Sequence, residues 1–145
     1  MLVSNIGSFY LDDTEWQARQ AGVNYRPVLD AALKRDRRAL HTLFQLTADN
    51  AFDGAGADSH SCALWTLMAQ WGDRDFAKAL AAEPARIRQA VITFLDYAAA
   101  EDYSKTYPLT HRLGLHTSFQ SRLLLAPQAA SNGLFVALLG DSQTH

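Results

Sequence analysis

The chain has 145 residues but a single cysteine, Cys62, and only four prolines and eight glycines. One cysteine excludes an internal disulfide and any zinc framework built from CxxC pairs. The prolines and glycines fall between periodic segments rather than inside them, which argues against many short strands joined by tight turns. Neither sign of charge is in excess: 13 Lys and Arg stand against 15 Asp and Glu, for a net charge of −2. Such a balance carries no electrostatic signature of a nucleic acid or an anionic membrane as partner. Nor are the basic residues interleaved with aromatics as single-strand binding requires. No apolar run approaches the roughly 20 residues of a membrane span. The opening stretch MLVSNIGSFYLDD has neither the basic n-region nor the apolar h-region of a signal peptide. The expectation is a cytoplasmic protein with no nucleic-acid and no membrane partner, although a mature exported chain with a new initiator Met would read the same.

What is present is a folding composition. Hydrophobic residues make up 48% of the chain and charged residues 19%, with three Trp, seven Phe and five Tyr. A single domain over 1–145 is expected, large enough to bury roughly 70% of its unfolded surface.

Helical periodicity dominates the middle of the chain. Asp12, Asp13, Thr14 and Glu15 before Trp16 read as a helix start, with an end near Gly22. Pro27 suits the first turn of a second helix carrying Val28, Leu29, Ala32 and Leu33. The run KRDRR, 34–38, separates it from a third, where Leu40, Leu43, Phe44 and Thr47 share a face. Asp58 or Ser59 is the expected cap of a helix reaching Trp71, with Leu64, Leu67, Met68 and Trp71 at i, i+3, i+4, i+7. Gly72 ends that helix and Asp73 caps the next, which carries Phe76, Ala79 and Leu80. Glu83-Pro84 opens a long helix with Ile87, Val91, Phe94, Leu95 and Ala98 on one side. These stripes are read as core. The fold class is therefore all-α: five to seven helices in a compact irregular bundle, regular over about 12–100 and less regular over about 101–145. Within the latter, Ser118–Ala126 is a further candidate helix, and 134–139 is a candidate surface for self-association.

One internal echo stands out. Asp36, Arg37, Arg38, Ala39, Leu40 and Leu43 correspond to Asp73, Arg74, Asp75, Phe76, Ala77 and Leu80 at an offset of 37 residues. In its spacing the segment 27–98 resembles HEAT-type α-helical repeats, a family of paired helices with periods near 40. The resemblance implies helix pairs and a surface that binds proteins. Two units would make a compact bundle rather than an extended solenoid.

The stretch DNAFDGAGADSH, 49–60, has the look of a ligand loop. Asp49, Asp53 and Gly54 fit positions one, five and six of a calcium loop. Ala51 and His60 stand where two oxygen ligands are needed, and calcium requires six to eight. No Gly-Lys-Ser/Thr follows the glycines, so the phosphate-loop reading fails as well. The stretch is read as a helix connection. His60 and Cys62 with His111 and His116 contain metal-ligand chemistry, but H-x-C and H-x4-H do not place ligands on one helix face. Carboxylates gather at Asp12, Asp13 and Glu15 and again at Asp96, Glu101 and Asp102, as acid–base sites require and as helix ends also show. No catalytic residue, metal or cofactor is assigned.

The remaining candidate is basic: Lys34, Arg35, Arg37 and Arg38, joined by Arg86 and Arg88 if the helices stack. Arginine is favoured at protein interfaces and anion sites. The opposing reading is a solvated helix junction neutralised by Asp30, Asp36 and Glu83. The expected function is a non-catalytic protein-interaction module with a protein partner, of the small acidic build that immunity proteins share. The alternative is a small-ligand binder or enzyme with a pocket between helices, walled by Trp65, Trp71 or Tyr97 with polar contacts from His60 or His111.

Overall fold

The computed structural model describes residues 8–115, with side chains from Asp12 onward. The elements are α1 (Ser8–Gln20), α2 (Tyr25–Leu33), α3 (Arg37–Ala48), α4 (Gly54–Trp71), α5 (Asp73–Ala81) and α6 (Ala85–Ala98). An irregular stretch over 99–107 and a helical stretch over 108–115 follow, and no strand occurs among the described residues. The all-α expectation holds. His116, the candidate helix Ser118–Ala126 and the segment 134–139 lie outside the described residues.

The stripes close onto one core. Leu29, Leu40, Leu43, Phe44, Leu64, Leu67, Met68, Phe76, Leu80, Ile87, Val91 and Leu95 are all buried in a single cluster. Phe44 and Phe76 meet edge to face there, with centroids 5.4 Å apart. At 18 residues α4 is the longest helix among the described residues, and it packs against α1, α2, α5 and α6, which makes it the axis of the bundle.

The helix ends explain the boundaries. Asp36 caps α3, its carboxylate accepting from the N–H groups of Arg38 and Ala39. Gly22, Arg35 and Asn50 each adopt a left-handed φ just past α1, α2 and α3. In all three cases the next N–H reaches back five residues, Val23 to Ala18, Asp36 to Ala31 and Ala51 to Leu46, which is the Schellman closure. Gly72, at φ 78°, turns α4 directly into α5.

Three boundaries differ from the sequence expectation. Helix α1 begins at Ser8, so Asp12 and Asp13 lie inside it rather than before it. Helix α4 begins at Gly54, not at Asp58 or Ser59, so most of the supposed connection, 54–60, is helical. Tertiary contacts override the poor propensity of Gly-Ala-Gly-Ala-Asp-Ser. The Gln17 side chain on α1 accepts from the Asp53 N–H and donates to the Asp53 carbonyl and carboxylate. The Thr14 hydroxyl donates to the Gly56 carbonyl at 3.0 Å. Gly56 permits this approach, since a Cβ there would lie 2.2 Å from Gln17 Oε1. The third difference is Asp73, which is the first residue of α5 rather than its cap. Its carboxylate instead accepts from the N–H groups of Leu109 and Thr110, at 2.8 and 2.9 Å, and so caps the helical stretch 108–115. Asp36 and Asp73, matched in the internal echo, therefore do different work.

Candidate functional site

The basic residues divide into two groups. Arg35 pairs with Asp75, stacks over Trp71 at 5.1 Å from the ring centroid, and makes a long contact of 3.4 Å to the Trp71 carbonyl. Arg86 donates to the Ala48 carbonyl at 3.0 Å and contacts Asp49 at 3.3 Å, closing the end of α3. Arg88 donates to the Glu83 carbonyl at 2.6 Å. By contrast, Lys34, Arg37 and Arg38 are exposed, and no partner for their side chains occurs among the described residues. Arg37 borders a small recess with Leu40, His41, Phe44 and Glu83. Arg86 sits at the opposite end of α3, and eleven residues of helix separate the two ends by about 16 Å. The cluster is thus three open cations at the α2–α3 corner, with Arg35 and Arg86 tied to the ends of α4 and α3 and Arg88 to the α5–α6 connection.

Arginine is not alone in that work. The Trp71 indole N–H donates to the Ala32 carbonyl at 2.8 Å and the Trp65 indole to the Leu95 carbonyl at 3.2 Å. The last carbonyls of a helix have no partner within it. Here those of α2, α3 and α6 receive one from a distant side chain.

The pocket alternative finds its residues scattered. Trp71 is buried against α2, and Tyr97 is 76% exposed on α6. His60 is fully buried on α4, whereas Cys62, two residues on, is exposed. His60 Nδ1 lies 2.8 Å from the Tyr25 hydroxyl and Nε2 lies 2.7 Å from the Thr47 hydroxyl. The Thr47 hydroxyl donates its only hydrogen to the Leu43 carbonyl at 2.8 Å. His60 must then donate from Nε2 to Thr47 and accept at Nδ1 from Tyr25. That tautomer satisfies every donor, while the other leaves the buried Tyr25 O–H without an acceptor. Phe52 stacks on the imidazole at 4.1 Å and Phe94 meets its edge. Burial lowers the His60 pKa from 6.5 to about 3, and burial raises that of Tyr25. A neutral, doubly hydrogen-bonded histidine in an aromatic box holds α2, α3 and α4 in register.

Trp65 does line an open cleft, of about 380 Å³, with Tyr103, Tyr107, Thr106, Glu101 and Asp102. Asp96 is turned from it to accept from the Tyr103 hydroxyl at 2.6 Å. Its partners in the expected carboxylate group, Glu101 and Asp102, are the two that reach the cleft. Glu15 of the other carboxylate group pairs with Arg26. No group of three or more His, Cys, Asp or Glu that could hold a metal ion occurs among the described residues. His111 lies edge-on to Tyr103 at 5.1 Å.

No protein-family model, no curated protein and no solved structure matches this chain. The geometry above is accordingly the whole basis for a functional reading. Two features of it escaped the sequence. The pair His41–Glu83, with Nδ1 2.6 Å from Oε1, joins residues 42 positions apart, and no local pattern announces it. Tyr103 and Tyr107 fall in an irregular segment, where spacing carries no face, and the one local signal is the closeness of Tyr97, Tyr103 and Tyr107 to Glu101 and Asp102. No described helix is long and apolar enough to cross a membrane.

Proposed function

We propose that this chain is a non-catalytic protein-interaction module that meets an acidic patch on a protein partner through the α2–α3 corner. The observation that carries the reading is the contrast within one cluster. Arg35 and Arg86 are paired with carboxylates and Arg88 is bonded to the α5–α6 connection, while Lys34, Arg37 and Arg38 stand exposed without partners among the described residues. Charges held on a rigid corner beside a capped helix steer association and set specificity. A partner neutralised in this way, as an immunity protein neutralises a toxin, fits the small acidic build by analogy of fold class alone. No nucleic acid is part of this reading, because a net charge of −2 supplies no general attraction for phosphate.

The test is affinity capture from source lysate with the intact chain and its Arg37→Glu/Arg38→Glu variant as parallel baits, read by mass spectrometry. Both residues are exposed, so the variant keeps the fold, which circular dichroism checks. One abundant partner lost by the variant supports the module and locates its face. A partner held equally by both baits removes the α2–α3 corner from the proposal. Absence of any specific partner overturns the module itself.

A further inference from the structure

The cleft at the end of α6 has no part in the reading above, and its chemistry is opposite in sign. Three aromatic rings form its walls. Trp65 meets Tyr103 with centroids 5.2 Å apart and Tyr107 with centroids 6.0 Å apart, at interplanar angles of 80° and 79°. Both tyrosines therefore stand nearly perpendicular to the indole. Two of the rings are already anchored through their polar ends. The Trp65 N–H donates to the Leu95 carbonyl and the Tyr103 hydroxyl to the Asp96 carboxylate. Anchored rings lose little freedom when a ligand arrives, which lowers the cost of binding.

The charged residues lining the cleft, Glu101 and Asp102, are both acidic and both exposed. Asp102 also accepts from the Ser104 N–H at 2.9 Å, which fixes its carboxylate and favours the charged form. Lys105 and His111 are close enough to Asp102 to interact with its charge, but neither lines the cleft. An anion entering here would meet two carboxylates. A bare metal ion would find aromatic walls where oxygen ligands are needed. Ring faces and carboxylates together favour one class of ligand, a cation with an apolar coat. We propose that the cleft walled by Trp65, Tyr103 and Tyr107 and edged by Glu101 and Asp102 binds an alkylated ammonium group.

The indole N–H resonance of Trp65, followed by NMR on the full chain, reports on the site directly. The probes are tetramethylammonium chloride, sodium chloride at matched concentration, and neopentyl alcohol as a neutral molecule of similar shape. The expected result is a saturable shift of Trp65 and of the amides of 101–107 with tetramethylammonium alone. Glu101→Gln/Asp102→Asn should weaken that binding by about fivefold or more, within the range of cation–π and charge contributions at such sites. Asn at 102 still accepts from the Ser104 N–H, so the loop is kept, and unchanged core amides verify it. Tyr107→Leu, which removes one wall and leaves the carboxylates, should weaken binding as well. A peptide carrying trimethyl-lysine distinguishes the source. Tighter binding than tetramethylammonium assigns the group to a protein side chain, and equal binding assigns it to a free amine. No saturable shift with the cation, or equal shifts from neopentyl alcohol that survive the double substitution, would overturn the proposal.

Discussion

Acidification should weaken this protein through one buried residue. In the native state His60 donates to Thr47 and accepts from Tyr25, inside a box closed by Phe52 and Phe94. Adding a proton to Nδ1 would set it against the Tyr25 hydroxyl hydrogen and bury a charge among rings. The native pKa is accordingly depressed from 6.5 to about 3 by burial. Between those values the unfolded chain binds the proton and the native one does not, so stability falls as the pH falls. Relative to neutral pH, the loss from this group alone is about 2 kcal/mol at pH 5, and it continues to grow toward pH 3. Urea unfolding at pH 7.5, 6 and 5 measures it. The comparison chain is Tyr25→Phe/His60→Leu, in which Thr47 still donates to the Leu43 carbonyl and no buried donor is stranded. Other titrating groups act in both chains and cancel in the difference. The natural chain should lose about 2 kcal/mol more than the variant between pH 7.5 and 5. Equal losses in the two would refute the buried neutral histidine.

Three further predictions follow from the helix ends. Gly56→Ala pushes a Cβ into Gln17, which holds the start of α4, so it should destabilise the chain by about 1 kcal/mol. In a Gln17→Ala background the same change should instead stabilise, because Ala exceeds Gly in helix propensity by up to about 1 kcal/mol. A double-mutant cycle by denaturant unfolding reads the reversal, and additive effects would contradict it. At Arg35, with φ 70°, Gly removes the backbone strain that Ala retains. Arg35→Gly should therefore be more stable than Arg35→Ala by about 1 kcal/mol in thermal unfolding, although both lose the Asp75 pair and the stack on Trp71. Asp73→Ala removes the cap from the stretch 108–115, and amide exchange should speed up over 109–113 while α4 amides stay protected. Unchanged exchange there would mean that the cap holds nothing.

The class of fold and most helix cores were legible in the residues alone, because amphipathic period is a local property. Leu64, Leu67, Met68 and Trp71 can share a face only on a helix, and all four are buried in α4. Asp36, Gly72 and Pro84 marked boundaries for equally local reasons, as a cap, a left-handed turn and a fixed φ. Contacts between distant residues could not be read in this way. Helix α4 starts at Gly54 because Gln17, 36 residues earlier, holds Asp53. Arg35 and Arg86 look like their neighbours in sequence, and only the positions of Asp75 and of the end of α3 separate them from Arg37 and Arg38. His60 looks like a ligand in a loop until α2 and α3 bring Tyr25 and Thr47 to its two nitrogens. The walls of the cleft likewise come from α4 and from an irregular segment some 40 residues later, which no periodicity relates. Hydrogen-bond partners and burial are settled by packing, and packing is where the arginines, the histidine and the aromatic cleft acquired their separate roles.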